Sequence, residues 1–129
     1  MNDKEIKQII KETVDQTVLK LKMTGLIKDG RKTAFQKTEE VIRNYNAFCK
    51  SDQPYAKALV EQIDKALEEL NDDPYKDIIS LYYIDELTRE EIAEQYNTTV
   101  STISRNKTRL INRLKAVLFS DDMIMELFL

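Results

Sequence analysis

The sequence predicts an all-α protein, and three observations carry that reading. Glycine and proline, the residues that most disfavour a helix interior, number only two each in 129 residues. Apolar residues recur at three- and four-residue spacing through most of the chain, with Lys and Glu between them. Spaced β-branched runs that would mark strands are few. A chain of this length supports one domain, or a small domain with a helical extension, around a modest core.

Taken in order, Asp3 to Met23 reads as an amphipathic helix with Ile6, Ile9, Ile10, Val14, Val18 and Leu21 on its stripe. That stripe either packs on the rest of the domain or forms the seam of a homodimer. Thr24 to Thr33 holds both glycines and a basic cluster, which predicts a loop or hinge and the best candidate linker. Thr38 to Lys50 is expected to restart as a helix, with Thr38 as N-cap and Val41, Ile42, Tyr45 and Phe48 on one side. Ser51 to Pro54 breaks it. Pro54 then suits the first turn of a helix bearing Ala58, Leu59, Ile63, Ala66, Leu67 and Leu70. Asp73 followed by Pro74 opens another by the same chemistry, running to about Tyr83 and presenting Ile78, Ile79, Leu81, Tyr82 and Ile84 for burial. The chain thus divides into an N-terminal helical region, 1–71, with a hinge near 24–33, and a C-terminal domain, 72–129.

Thr88-Arg89-Glu90-Glu91 fits a capping box, in which the threonine hydroxyl accepts the third amide of the helix and Glu91 reaches back to the cap. Ile92, Ala93 and Tyr96 follow at the positions of a helix-turn-helix: an apolar anchor, a small residue where a second helix crosses closely, and an apolar residue before the turn. Asn97 occupies the turn position usually held by glycine, and asparagine tolerates the left-handed conformation required there. Thr99 is the expected N-cap of the second helix, whose buried stripe is Ile103, Leu110, Leu114, Val117 and Leu118. The tail, Asp121 to Leu129, reads as a short apolar helix that must be covered by the domain or by a second subunit.

Charge is distributed unevenly around a formal total of -3. Met1 to Lys50 carries eleven Lys and Arg against seven Asp and Glu, a net of +4, and Asn71 to Tyr96 carries two against eight, a net of -6. Val100 to Phe119 then carries Arg105, Lys107, Arg109, Arg113 and Lys115 with no acid, a net of +5. The acidic run is either a solvated face or a docking surface for a basic partner. On a second helix of this motif the basic residues point to duplex DNA, because the start of that helix enters the major groove, where Arg meets guanine two-pronged and Ser bonds base edges. Val100, Ser101, Ser104 and Arg105 are the expected base readers, with Thr99, Thr102, Lys107, Thr108, Arg109 and Arg113 toward the backbone.

Other chemistries are disfavoured. The chain has no histidine, which removes imidazole acid–base catalysis, the usual triads and the commonest nitrogen ligands of zinc. The pairs Glu68/Glu69, Asp72/Asp73, Glu90/Glu91 and Asp121/Asp122 diverge by ~100° on a helix and do not share a site. No phosphate-binding glycine loop is present, so neither an enzyme nor a cofactor or metal is expected. Cys49 stands alone, which suits a reducing cytoplasm, and no apolar run approaches the ~20 residues of a membrane span. The expected location is the cytoplasm, on the nucleoid when bound to DNA.

The pattern Leu87-Thr88-Arg89-Glu90-Glu91-Ile92-Ala93-Glu94, turn, Val100-Ser101-Thr102-Ile103-Ser104-Arg105 resembles region 4 of bacterial sigma factors, over about Asp73 to Phe119. With Arg31-Lys32-Thr33-Ala34-Phe35-Gln36-Lys37-Thr38-Glu39 and Val41-Ile42-Arg43-Asn44-Tyr45-Asn46, the chain further resembles the ArpU family of phage and prophage transcriptional regulators. The resemblance implies N-terminal amphipathic helices followed by a sigma region 4-like helix-turn-helix bundle. It also implies regulation of late phage or cell-lysis genes at promoter DNA, with host RNA polymerase as a further candidate partner. In one departure, Asn106 stands where such motifs place an apolar residue, which predicts either looser packing of the two helices or a hydrogen bond to the turn. The alternative function is a helical adaptor that holds RNA polymerase or a phage protein without reading DNA.

Overall fold

The computed structural model describes residues 2–119, with the side chains of residues 10–17 outside that description. Every regular element among the described residues is helical. The expected roles of Ile10, Val14 and the tail from Asp121 to Leu129 fall outside the described residues.

Helix α1, Asp3–Lys28, starts from an Asn2–Glu5 capping box and runs five residues past its expected end. The expected loop or hinge at 24–33 is therefore corrected to the short stretch 29–33. Thr24 is helical, its hydroxyl donating to the Lys20 carbonyl at 2.8 Å, and Gly25 lies within the helix. Extension is supported by Met23, buried, and by Leu26 and Ile27, which pack on the core. Lys37 donates to the Ile27 carbonyl, so a cation covers the carbonyl end of the helix. Along the rest of α1, Ile6, Val18 and Leu21 are exposed.

Helix α2 spans Ala34–Arg43 and is capped by Thr33, not by Thr38. The reason is local. Thr33 has glutamine three residues on, and the two close a capping box, whereas Thr38 has Val41 in that place. Thr38 is instead fully buried inside the helix, its hydroxyl donating to the Ala34 carbonyl at 2.8 Å. The chain turns at Asn44 into the short α3, Tyr45–Cys49, and then enters α4, Pro54–Glu68, with proline in the first turn as expected. Leu59, Ile63 and Ala66 of α4 are buried, while Ala58 and Leu67 are half-buried at its border.

The helix expected over 74–83 is divided. After turns at 74–76 the chain forms α5, Asp77–Ile79, and then a wider π-helical turn, Ser80–Ile84, closed by the Asp85 amide on the Ser80 carbonyl at 2.9 Å. The extra residue in that turn rotates the side chains. Tyr83, outside the apolar stripe expected of that helix, is 3% exposed, whereas Leu81, Tyr82 and Ile84 are half-buried.

Helices α6, Arg89–Gln95, and α7, Val100–Leu118, complete the chain. Helix α7 packs against α2, α4, α5 and α6 and is the spine of the molecule. Its Ile103, Leu110, Ile111, Leu114 and Leu118 enter a single cluster with Ile42, Leu59, Ile63, Ile78, Ile79 and Ile92. Burial of each such side chain stabilises the fold by about 1.5–3 kcal/mol. Ile111 widens the stripe the sequence predicts, because α7 is enclosed by helices on more than one side.

Candidate nucleic-acid interface

The turn between α6 and α7 sets the geometry. Thr88 accepts the Glu91 amide at 3.1 Å, and Glu91 accepts the Thr88 amide at 3.3 Å, closing the expected capping box. At the other end of α6, Asn97 adopts φ 50°, the left-handed conformation that glycine usually supplies. The Thr98 amide donates to the Ala93 carbonyl at 2.9 Å and the Asn97 amide to the Glu94 carbonyl at 3.1 Å. This paired closure is a Schellman motif, and it fixes the direction in which the chain leaves α6. Ile92 and Ala93 are buried, and Tyr96 stacks on Tyr75 with ring centroids 5.4 Å apart. Thr99 then caps α7, accepting the Thr102 amide at 3.2 Å, with the two threonine hydroxyls 3.0 Å apart.

The first turns of α7 face outward. Ser101, Arg105 and Thr108 are exposed, and Val100, Thr102 and Ser104 are half-buried beside them. Arg105 forms no ion pair among the described residues. Ser104 accepts from Arg89 Nη1 at 3.1 Å, so a cation from the start of α6 stands at the same edge. Arg89 has no expected role in the sequence reading. The signal that could find it is its place in the first turn of α6, beside the start of α7.

Farther along α7 the cations are engaged within the chain. The Lys107 side chain is only 15% exposed; its ammonium lies 4.5 Å from the centre of the Tyr82 ring and 4.0 Å from Glu39 Oε2. The same carboxylate accepts the Tyr83 hydroxyl at 2.7 Å and lies 3.5 Å from Arg43. Arg109 forks onto Asp73, with Nη1 to Oδ2 at 2.6 Å and Nη2 to Oδ1 at 3.1 Å. Arg113 reaches Asp73 Oδ2 at 3.2 Å and the Glu69 carbonyl at 2.9 Å, with Asp72 Oδ1 3.6 Å away.

Asp73 thus has a second task beside the capping expected of it. Its Oδ1 does accept the Tyr75 amide, at 2.9 Å. Its side chain is only 7% exposed, and the hydrogen bonds from Arg109, aided by that amide and by the charge of Arg113, hold its carboxyl down at about 2. The same pairing raises the Arg109 guanidinium. Asn106 completes the arrangement. It neither loosens the helix pair by lying unpartnered nor bonds to the turn: Nδ2 donates to the Thr102 carbonyl at 2.9 Å within α7, and Oδ1 accepts Arg109 Nε at 3.2 Å and Nη2 at 3.0 Å.

Of the residues expected at DNA, Val100, Ser101, Ser104, Arg105, Thr99, Thr102 and Thr108 are thus brought together on the first turns of α7. Lys107, Arg109 and Arg113 are drawn toward internal acids. No group of His, Cys, Asp and Glu among the described residues could hold a metal ion, and no helix among them is long and apolar enough to cross a membrane. No curated protein and no solved structure matches the chain significantly. Residues 66–116 do match the family model of sigma-70, region 4, so the C-terminal part of the chain carries a sigma region 4-like domain, with α6, the turn and α7 as its helix-turn-helix.

Proposed function

We propose that this protein is a sequence-specific, double-stranded DNA-binding regulator of transcription, with α7 in the major groove. The observation that carries the reading is the exposed front of α7, where Ser101 and Arg105 face solvent just after the left-handed turn at Asn97. Val100, Ser101, Ser104 and Arg105 are assigned to base edges, and Thr99, Thr102, Thr108 and Arg89 to phosphates. The positive end of the α7 dipole adds to the attraction for phosphate at that edge. Lys107, Arg109 and Arg113, expected at the backbone from the sequence, are engaged by internal partners and are not assigned to phosphates of the free protein's binding face. The N-terminal region, 1–71, braces α7 through α2 and α4, and the exposed Ile6, Val18 and Leu21 of α1 are the side we assign to a homodimer or another partner.

The targets we assign, late or cell-lysis genes of a phage or prophage, follow from the resemblance to the ArpU regulators, and host RNA polymerase is the further partner. The site of action is then the cytoplasm, on the nucleoid. Selection of bound fragments from genomic and random DNA, followed by titration across a salt series, tests the reading. An enriched motif is expected, with log K falling linearly against log salt at about one unit of slope per phosphate contact. Binding that is absent, or that is indifferent to Arg105→Ala and Ser101→Ala together, overturns it.

One observation favours a second reading, the protein-binding adaptor. Asp85, Glu86, Glu90 and Glu94 are exposed together around the start and outer side of α6. Capture of RNA polymerase from nuclease-treated host lysate that survives Arg105→Ala but fails on charge reversal of these four acids supports that role.

A further inference from the structure

The clasp around Arg109 bears on how the chain separates specific from non-specific DNA. Arg109 follows Arg105 by one helical turn, roughly 6 Å along the same surface, a spacing at which both could meet phosphates of one groove. Every nitrogen of its guanidinium is nevertheless spoken for: Nε and Nη2 by Asn106 Oδ1, Nη1 and Nη2 by the Asp73 carboxylate. Arg113 is turned to Asp73 as well, and to the Glu69 carbonyl. These contacts tie a carboxylate that is 7% exposed to two arginines that remain 44% and 39% exposed.

A half-exposed arginine whose charge is balanced at contact distance releases few counterions from DNA. Moving it to a phosphate exchanges one anion for another and strands a carboxylate that is nearly out of water. We propose that Asp73, braced by Asn106, withholds Arg109 and Arg113 from the phosphate backbone and thereby suppresses sequence-independent binding, leaving affinity to the base-reading front of α7. Asp73 is in this sense a specificity-determining residue that touches no DNA. The proposal rests on the DNA-binding reading above.

The test is fluorescence anisotropy of the full chain on a short random-sequence duplex across a salt series, with thermal melts to establish that each variant is folded. Asp73→Asn keeps the shape and the acceptor for the Tyr75 amide but removes the charge. It is expected to steepen the slope of log K against log salt by about one to two units and to tighten low-salt binding several-fold. Adding Arg109→Ala to Asp73→Asn should remove about one unit of that gain, whereas Arg109→Ala with Asp73 in place should leave the slope unchanged. An unchanged slope in folded Asp73→Asn overturns the proposal, and so does a fall of about one unit in Arg109→Ala alone. Should Asp73→Asn not fold, Arg113→Ala, which spares the forked Arg109–Asp73 pair, decides: an unchanged slope supports the clasp and a fall of about one unit overturns it. Native protein that shows no salt-dependent binding to any duplex overturns the DNA reading and the clasp together. Native protein that binds, with a slope indifferent to Asp73, overturns the clasp alone.

Discussion

Along α7, Ser101 and Arg105 stand in solvent at the front, whereas Lys107, Arg109 and Arg113, all within about two turns of Arg105, lie against tyrosine rings and carboxylates of other segments. The two stretches share a helix, a sign of charge and a lack of acids. They differ in what faces them. At the front, just past the α6–α7 turn, Ser101 and Arg105 are exposed among the described residues, and the rear crosses α2 and the α4–α5 connection, which bring Glu39 and Asp73 to it. A run of five basic residues therefore does not present five charges to a partner. The net of -6 before α7 and of +5 on it are partly one internal neutralisation.

Substitutions can break or sharpen this contrast. The largest effect is expected at the rear, where Leu110 is fully buried: Leu110→Ala should cost about 2–5 kcal/mol of stability in urea unfolding. At the front, Arg105→Ala should leave stability within about 0.5 kcal/mol and weaken binding to a selected site by about 1–3 kcal/mol. A front residue that moves stability, or a rear one that moves only binding, erases the distinction. Arg109→Ala comes next, with a loss of about 1–2 kcal/mol of stability, smaller than for a fully buried pair because the guanidinium is 44% exposed.

The clasp also has a pH signature. A carboxyl held at about 2 in the fold, against an ordinary 3.8, binds its proton less readily folded than unfolded. Its contribution is therefore fully present above 3.8 and is lost as pH falls through about 2. Asp73→Asn should flatten the fall in melting temperature over that acid interval and leave its shape near neutrality unchanged. The smallest effect is expected at the turn: Asn97→Gly, at φ 50°, should change stability by no more than about 0.5 kcal/mol, while Asn97→Val should cost about 1–2 kcal/mol. Near-equal stabilities for the two would show that the turn does not hold the left-handed conformation in solution.

Much of the fold was legible because its causes are local. The Thr88 box, the left-handed Asn97, the Thr99 cap and proline at the start of α4 each depend on groups a few residues apart. Thr38 was the expected cap in place of Thr33, although the cause is again local: Thr33 has Gln36 where Thr38 has Val41, and a test for the full box separates them. The end of α1 was not legible, because its glycine argues for a loop while burial of Met23 and the Lys37 contact, both tertiary, hold the helix. Tyr83 fell outside the expected apolar stripe because one extra residue in a π-turn changes which neighbour points inward. Asn106 looked like a packing fault on a helical wheel; its reason lies in Arg109, and that in turn lies in Asp73.

By itself the sequence determined an all-α chain with a capped helix, an asparagine turn and a second helix whose one face is apolar and whose other is basic. Caps, turns and helical periodicity act within one or two turns of chain, so composition and spacing suffice to place them. The tertiary structure alone decided which cations of that helix are free. Arg109 meets its carboxylate across 36 residues, and a contact that distant leaves no trace in spacing. It arises only when the packing of buried side chains has brought the α4–α5 connection against α7, and at that distance of closest approach the nearest acid, not the count of bases, sets what a partner feels.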